Sequence, residues 1–264
     1  MTPILMLGCG RMGGALVKGL LDARAIDAAD LMLRDPMPGA DAQAAVGAGA
    51  RLNPPDSSLG AAKTVVLAVK PQMWREVAHS ISGALSPDAA IVSIAAGVRL
   101  SDVQAAFAGR SAARVMPTTA VAIGKGVASI YAAHAAARSR AHELFDPVAR
   151  TVDLEDEALM DAATAVSGSG PAYLYAFIEA LEAAAQAEGL DADAARVLAR
   201  NTITSAAALM AASGEEPAEL RRQVTSPGGT TEAALKVLQG EGGLPALMRE
   251  AVAAAVRRSR ELGV

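Results

Sequence analysis

Residues Gly8-Cys9-Gly10-Arg11-Met12-Gly13 follow a short apolar run, Pro3 to Leu7, and open an amphipathic stretch that reads as a helix from Gly13 to Ala23. Strand, glycine turn and helix are the context that a dinucleotide-binding loop requires. Gly8 permits the tight turn, Gly10 lets the backbone approach a pyrophosphate, and Gly13 lets the helix lie close to the sheet. The free N–H groups and the dipole at the helix start attract the anion. A turn with no ligand is the bland alternative for the same six residues. The candidate cofactor contacts here are Leu7, Gly8, Cys9, Gly10, Arg11, Met12 and Gly13. Nothing nearby marks Cys9 as a nucleophile, and it reads as a small residue tolerated in the loop.

The rest of the first half repeats the alternation of short apolar runs and amphipathic stretches, the pattern of a parallel sheet covered by crossover helices. Leu31 to Leu33, Arg51-Leu52, Thr64 to Val69 and Ala90 to Ile94 read as strands, the last two as continuous apolar runs suited to burial on both faces. Arg114 to Met116 and Gly126 to Tyr131 read as further strands, and Ala135 to Phe145 as a helix. The fold class is therefore α/β with a doubly wound core. After Asp153 strand-like runs vanish, so residues 1–153 form one predicted domain and 154–264 a second, all-helical one. Its predicted helices are Pro171 to Glu188, Asp193 to Ala212, Ala218 to Gln223, Thr231 to Leu238 and Gly243 to Leu262. They are apolar on more than one face, which either a second subunit or a single-chain core would explain.

Composition narrows the ligand. A formal net charge of −4 without a lysine or arginine run argues against nucleic acid or an anionic membrane as the main partner. The default partner is a small molecule. The single cysteine cannot pair within the chain, the N-terminus lacks a positively charged leader pattern, and no apolar stretch has membrane-spanning length, so a cytoplasmic setting is expected. Of the three histidines, His79, His134 and His142, none lies near the motifs. No glycine-elbow serine or histidine pair at metal spacing is present, so hydrolase and metal chemistry lack support, and no metal is expected.

The second strand ends at Leu33-Arg34-Asp35, where such folds read the adenosine ribose. An acidic residue there favours NAD and an arginine favours NADP, and both are present, with a lean to NADP. Arg34 could equally stack on adenine, and Asp35 could cap the Pro36 turn. Ala68-Val69-Lys70-Pro71 and Ser93-Ile94-Ala95-Ala96-Gly97 lie at the C-terminal ends of the fourth and fifth strands, where open α/β sheets bind ligands. Lys70 is one of five lysines in the chain, and a solvated loop lysine is its plainer reading. Ala95, Ala96 and Gly97 are small enough for a flat nicotinamide to lie against them.

Two motifs precede helices in the second half, Ser167-Gly168-Ser169-Gly170-Pro171 and Ser226-Pro227-Gly228-Gly229-Thr230-Thr231. The second presents several N–H donors at a helix start, a nest suited to a carboxylate, or it is an interhelical turn with Thr230 or Thr231 as N-cap.

Taken together, these segments with Arg114-Val115-Met116-Pro117 closely resemble the Δ1-pyrroline-5-carboxylate reductases of proline biosynthesis, over nearly the whole chain. The pairing of Ser-Gly-Ser-Gly-Pro-Ala-Tyr with Ser-Pro-Gly-Gly-Thr-Thr is the specific part. The resemblance implies an N-terminal Rossmann domain and a helical domain that interlocks a homodimer, often within a ring of dimers. It also implies NADPH, or NADH, as reductant and the cyclic imine as substrate. Hydride would pass to the C=N carbon of the imine, bound between the domains, giving proline. Thr231 would hydrogen-bond the ring nitrogen, while Ser226, Gly228, Gly229 and Thr230 would complete the substrate site. The imine nitrogen arrives protonated near neutrality, so no strong protein acid is needed and positioning dominates. Where the family has Asn-Thr-Pro after Met-Pro, this chain has Thr118-Thr119-Ala120; Thr118 would keep a hydrogen bond near the nicotinamide with shorter reach.

Two other readings share some of these features. A β-hydroxyacid dehydrogenase has the same glycine loop but wants a lysine early in the central helix, where this chain has Tyr173 and Glu179. A non-catalytic NADP-sensing scaffold would account for the altered Thr118 to Ala120 segment.

Overall fold

A computed structural model describes residues 1–262. Eight strands form one sheet in the order β3-β2-β1-β4-β5-β6-β7-β8. They are β1 (Ile4–Leu7), β2 (Leu31–Arg34), β3 (Arg51–Leu52), β4 (Thr64–Leu67), β5 (Ala90–Ser93), β6 (Ala112–Pro117), β7 (Gly126–Tyr131) and β8 (Ala149–Asp153). Pairing is parallel from β3 to β6; β7 runs antiparallel to β6, and β8 parallel to β7. The connecting helices are α1 (Arg11–Asp22), α2 (Ala40–Gly47), α3 (Trp74–Ile81), α4 (Leu100–Ala106) and α5 (Ala135–Phe145).

Alternation along the strands builds two cores. Ile4 and Met6 of β1 point to the side covered by Leu16 and Leu20 of α1 and Leu144 and Phe145 of α5. Leu5 and Leu7 point to the side covered by Trp74 and Ile81 of α3 and Val103 of α4. Burial of one such aliphatic side chain contributes roughly 1.5 to 3 kcal/mol. With both faces covered, β1 and β4 are apolar throughout or nearly so and fully buried.

The chain leaves β1 toward β2 and β3, then returns to β4 on the other side of β1, so strand order reverses between β1 and β4. The register pairs Leu7 with Arg34 on one side and with Leu67 on the other. The residues that follow, Gly8, Asp35 and Ala68, therefore gather at one edge, the crevice where this architecture takes ligands.

The sequence reading has no strand at Ala149–Asp153. β8 is an edge strand, half exposed and polar at Arg150, Thr151 and Asp153, so it lacks the apolar run that marks its neighbours.

The remaining elements are helical: α6 (Met160–Ala163), α7 (Gly170–Ala187), α8 (Ala192–Ser213), α9 (Pro217–Gln223), α10 (Thr230–Leu238) and α11 (Leu244–Leu262). Pro171 and Pro217 sit in the first turns of α7 and α9, where proline's missing N–H costs no bond. Asp191 caps α8 by accepting the Ala194 N–H at 2.8 Å, and left-handed Gly214 ends it.

By internal contacts the chain forms two compact units, Met1–Gly168 with the chain end from Ala255, and Ser169–Ala254. The last strand ends at Asp153, yet the first unit runs on because the next turns dock on it: Glu157 pairs with Arg114 of β6. Ser259 of α11 donates to Asp161 of α6 at 2.6 Å, holding the chain end to the same unit. In the second unit α7 has no buried residue, and Leu174, Tyr175 and Phe177 on α7 with Val197, Leu198, Leu209 and Met210 on α8 are exposed apolar side chains.

Candidate active site

The turn after β1 is dictated by close approach. Gly8 has φ +90°, and a Cβ built on it would lie 2.8 Å from the Ala68 carbonyl oxygen. A Cβ on Gly13 would lie 2.1 Å from the Gly8 carbonyl oxygen, so only glycine lets α1 start so close to β1. Gly10 differs: nothing lies within 4 Å of where its Cβ would be. It is the N-cap of α1, no side chain caps this end, and the first turn carries no carboxylate. The orphan N–H groups of the first turn thus have no capping side chain, and the space beside Gly10 is open. This is a cradle for an anion, and the residues present fit a dinucleotide pyrophosphate.

Cys9 is buried, and its thiol is pushed up to about 12, first by burial and then by the Asp35 charge. Such a thiol is neutral and inert.

Leu7, Gly8, Gly10, Arg34, Ala68, Val69 and Lys70 line one cavity of about 640 Å³, together with Asp35, Pro36, Met37, Asn53, Met73, Val77, Ser80 and Ile81. That volume is ordinary for a small-molecule site. Arg11, exposed at the start of α1, along with Met12, Gly13, Pro71, Ala95, Ala96, Gly97 and Thr118, does not line it. Lys70 is exposed at the rim.

At the end of β2 both charged candidates are already engaged. Asp35 accepts the Cys9 N–H through Oδ2 at 2.6 Å and the Met37 N–H through Oδ1 at 2.7 Å. Its carboxylate therefore caps the Pro36 turn and fastens the glycine loop, one of the two roles open from sequence. Asn53, just past β3, locks the same residue: its Oδ1 accepts the Asp35 N–H and its Nδ2 donates to the Asp35 carbonyl, both at 3.0 Å. Arg34 donates to the Pro54 carbonyl at 2.8 Å and forms an ion pair with Asp56.

Sequence reasoning missed the opposite wall. Met73, Val77 and Ile81 recur at helical spacing along α3 and its lead-in, a signal that reads as core packing until the cavity shows them facing it. Asn53, with φ 46°, was detectable only as a turn residue.

Past β5, Ala95 is buried and Gly97 takes φ +77°. Past β6, Thr118 is buried; its Oγ1 accepts the Val127 N–H at 3.1 Å, and its own hydroxyl proton is left to donate. These two segments leave adjacent parallel strands at the same sheet edge.

In the second unit, Ser226 to Gly229 turn into α10 with Gly228 at φ +73° and Gly229 as N-cap. The Gly229 N–H donates to the Ser226 carbonyl at 3.0 Å. The Gly228 N–H, assigned from sequence to a ligand carboxylate, donates to the chain's own Glu232 Oε2 at 2.7 Å. One donor of the nest is thus satisfied internally by the third residue of α10. Thr230 and Thr231 are the first residues of the helix, not its caps.

Comparison with known proteins extends along the whole chain. A family model described as pyrroline-5-carboxylate reductase dimerisation matches residues 157–262, and one described as NADP oxidoreductase coenzyme F420-dependent matches residues 3–97. The pyrroline-5-carboxylate reductase of Pseudomonas aeruginosa is 40% identical over 269 residues, covering 99% of this chain and 97% of the relative. The structure of a pyrroline-5-carboxylate reductase from Coxiella burnetii superposes with a TM-score of 0.89 at 29% identity, over 100% of this chain and 99% of that one. That of Plasmodium falciparum pyrroline carboxylate reductase, solved with NADP bound, gives 0.85 at 25% identity, over 100% and 98%. Because the match runs through the sheet and the helices alike, the chain belongs to the pyrroline-5-carboxylate reductase family.

Proposed function

We propose that this chain reduces 1-pyrroline-5-carboxylate to L-proline, with NADPH as reductant and NADH as the alternative. Beyond family membership, the observation that carries the reading is the uncapped start of α1, where Gly10 leaves open space over unpaired N–H groups beside a cavity of about 640 Å³. Such a slot has no structural use to compete with an anion.

When bound, the reduced nicotinamide supplies a hydride to the C=N carbon of the ring, which becomes C5 of proline. Around it, the first turn of α1 would hold the pyrophosphate, Val77 and Ile81 would flank the adenine, and Arg34 with Lys70 would meet phosphate charge. Ala95, Ala96, Gly97 and Thr118 would form the nicotinamide wall. In the helical unit, the unpaired Thr230 and Thr231 N–H groups with Gly229 and Ser226 would orient the substrate carboxylate, and the Thr231 hydroxyl would bond the ring nitrogen. With the ring nitrogen already protonated, these residues position rather than titrate.

The match to a dimerisation family model at residues 157–262 supports oligomerisation through the helical region. We assign a homodimer that can close into a ring of dimers, its contact made by the exposed apolar side chains of α7 and α8. No helix of the described residues is long and apolar enough to cross a membrane; the cytoplasmic setting rests on the lone, unpaired cysteine.

Mixing the purified protein with pyrroline carboxylate and NADPH and following loss of reduced-nicotinamide absorbance tests the reaction. Persistent absorbance at every pH overturns it in favour of a nucleotide-binding scaffold.

A further inference from the structure

One carboxylate oxygen joins three separate parts of the first unit. Glu157 Oε1 accepts the Arg114 guanidinium through Nη1 at 2.6 Å and the Leu100 N–H at 2.7 Å. Arg114 lies on β6 and is 7% exposed. Leu100 is the first residue of α4, whose N-cap, Arg99, offers no side-chain cap. Glu157 itself opens the short turn after β8.

The two partners mark the two segments that the proposed function assigns to the nicotinamide. Leu100 ends the loop that carries Ala95, Ala96 and Gly97, and Arg114 is on the strand that delivers Thr118. Both bonds are charge-assisted, hence short and directional. Gly97, Arg99, Arg114 and Glu157 also line one cavity of about 710 Å³, so the joint borders open space rather than sealed core.

We propose that Glu157 is a positioning residue for hydride transfer: it sets the spacing between the Ala95–Gly97 loop and the end of β6, and thereby the seat of the nicotinamide ring. This rests on the reading of those two segments as the nicotinamide wall. It touches neither substrate nor cofactor and acts through Arg114 and the Leu100 N–H. The glycine loop and the adenosine cavity are built from other strands and do not depend on it.

The test separates the two halves of the cofactor. Affinities for NADPH and for 2′,5′-ADP, which lacks the nicotinamide, are measured by calorimetry on wild type, E157A, E157Q and the exposed neighbour control E155A, with melting temperatures alongside. E157A is expected to weaken NADPH at least tenfold and lower kcat, with 2′,5′-ADP held within twofold. E157Q, which keeps an oxygen for the Leu100 N–H, should recover most of the loss, and E155A should match wild type. An E157A protein that weakens both ligands alike, or neither, overturns the inference. Turnover of wild type is scored separately: its absence overturns the proposed reaction, while the contrast between the two nucleotides is still read from binding alone.

Discussion

A Cβ added to Gly13 would sit 2.1 Å from the carbonyl oxygen of Gly8, whereas one added to Gly10 would touch nothing within 4 Å. The two substitutions should therefore fail for different reasons. Gly13→Ala forces α1 off the sheet, a strain of about 1 to 3 kcal/mol that should lower the melting temperature. Gly10, with φ −71°, already has a backbone that alanine adopts. Gly10→Ala should melt like wild type yet raise KM for NADPH at least tenfold, because the methyl fills the phosphate cradle. Thermal melts beside steady-state kinetics check both.

Arg34 decides between the two nucleotides under the proposed reading. Losing a charged hydrogen bond costs about 1.5 to 3 kcal/mol, so Arg34→Ala should raise KM for NADPH roughly 10- to 150-fold and leave KM for NADH nearly unchanged. Asp56 holds the same guanidinium. Asp56→Ala should act in the opposite direction and lower KM for NADPH, since the 2′-phosphate then meets an uncontested arginine. Equal effects on both nucleotides would remove Arg34 from the choice.

Under the proposed reading the Thr231 hydroxyl oxygen accepts the N–H of the protonated ring nitrogen, and deleting one such preorganised hydrogen bond costs about 2 to 4 kcal/mol. Thr231→Ala should lower kcat by roughly 30- to 1,000-fold while the Kd for NADPH stays within twofold. Serine at the same position should restore most of the rate. An unimpaired kcat would take this residue out of the chemistry.

His142 on α5 makes the first unit's stability depend on pH. It lies between Asp146 at 3.1 Å and Asp153 at 3.3 Å. The hydrogen bond to Asp146 and then that to Asp153 hold its imidazolium and outweigh partial burial, which raises its pKa from the ordinary 6.5. Burial pushes the Asp146 carboxyl up, but bonds from Thr151 and His142 reverse this and the net direction is down. A raised folded pKa stabilises fully below the unfolded value and is lost as pH rises through the folded one. The stability advantage of wild type over His142→Asn should thus be fully present below pH 6.5 and shrink as pH rises through the raised folded value, within about 1 kcal/mol for a pair this exposed. Denaturant melts across that range read it directly.

Local periodicity carried most of the architecture. The glycine loop, the buried strands β1, β4 and β5, and the long helices after Pro171 each announce themselves within a few residues. What stayed hidden depends on partners far apart in the chain. Asp35 stands open in the sequence between ribose ligand and turn cap; the choice rests on its carboxylate meeting the N–H of Cys9, 26 residues away, and on Asn53 meeting its backbone from 18 residues away. Glu232 shows the same limit at short range: only coordinates reveal that its side chain folds back onto Gly228. A strand such as β8, polar and half exposed, carries no apolar signature because a rim strand buries too little to need one.

That rim has a bearing on how copies of this chain meet. At one side the sheet stops at β3, a rung of two residues, and at the other at β8, which carries Arg150 and Asp153. A stub and a charged margin both discourage a further strand from adding on. Growth of the sheet from copy to copy is thus disfavoured at either border, which leaves the greasy flanks of the long helices as the surface through which the proposed dimer would form.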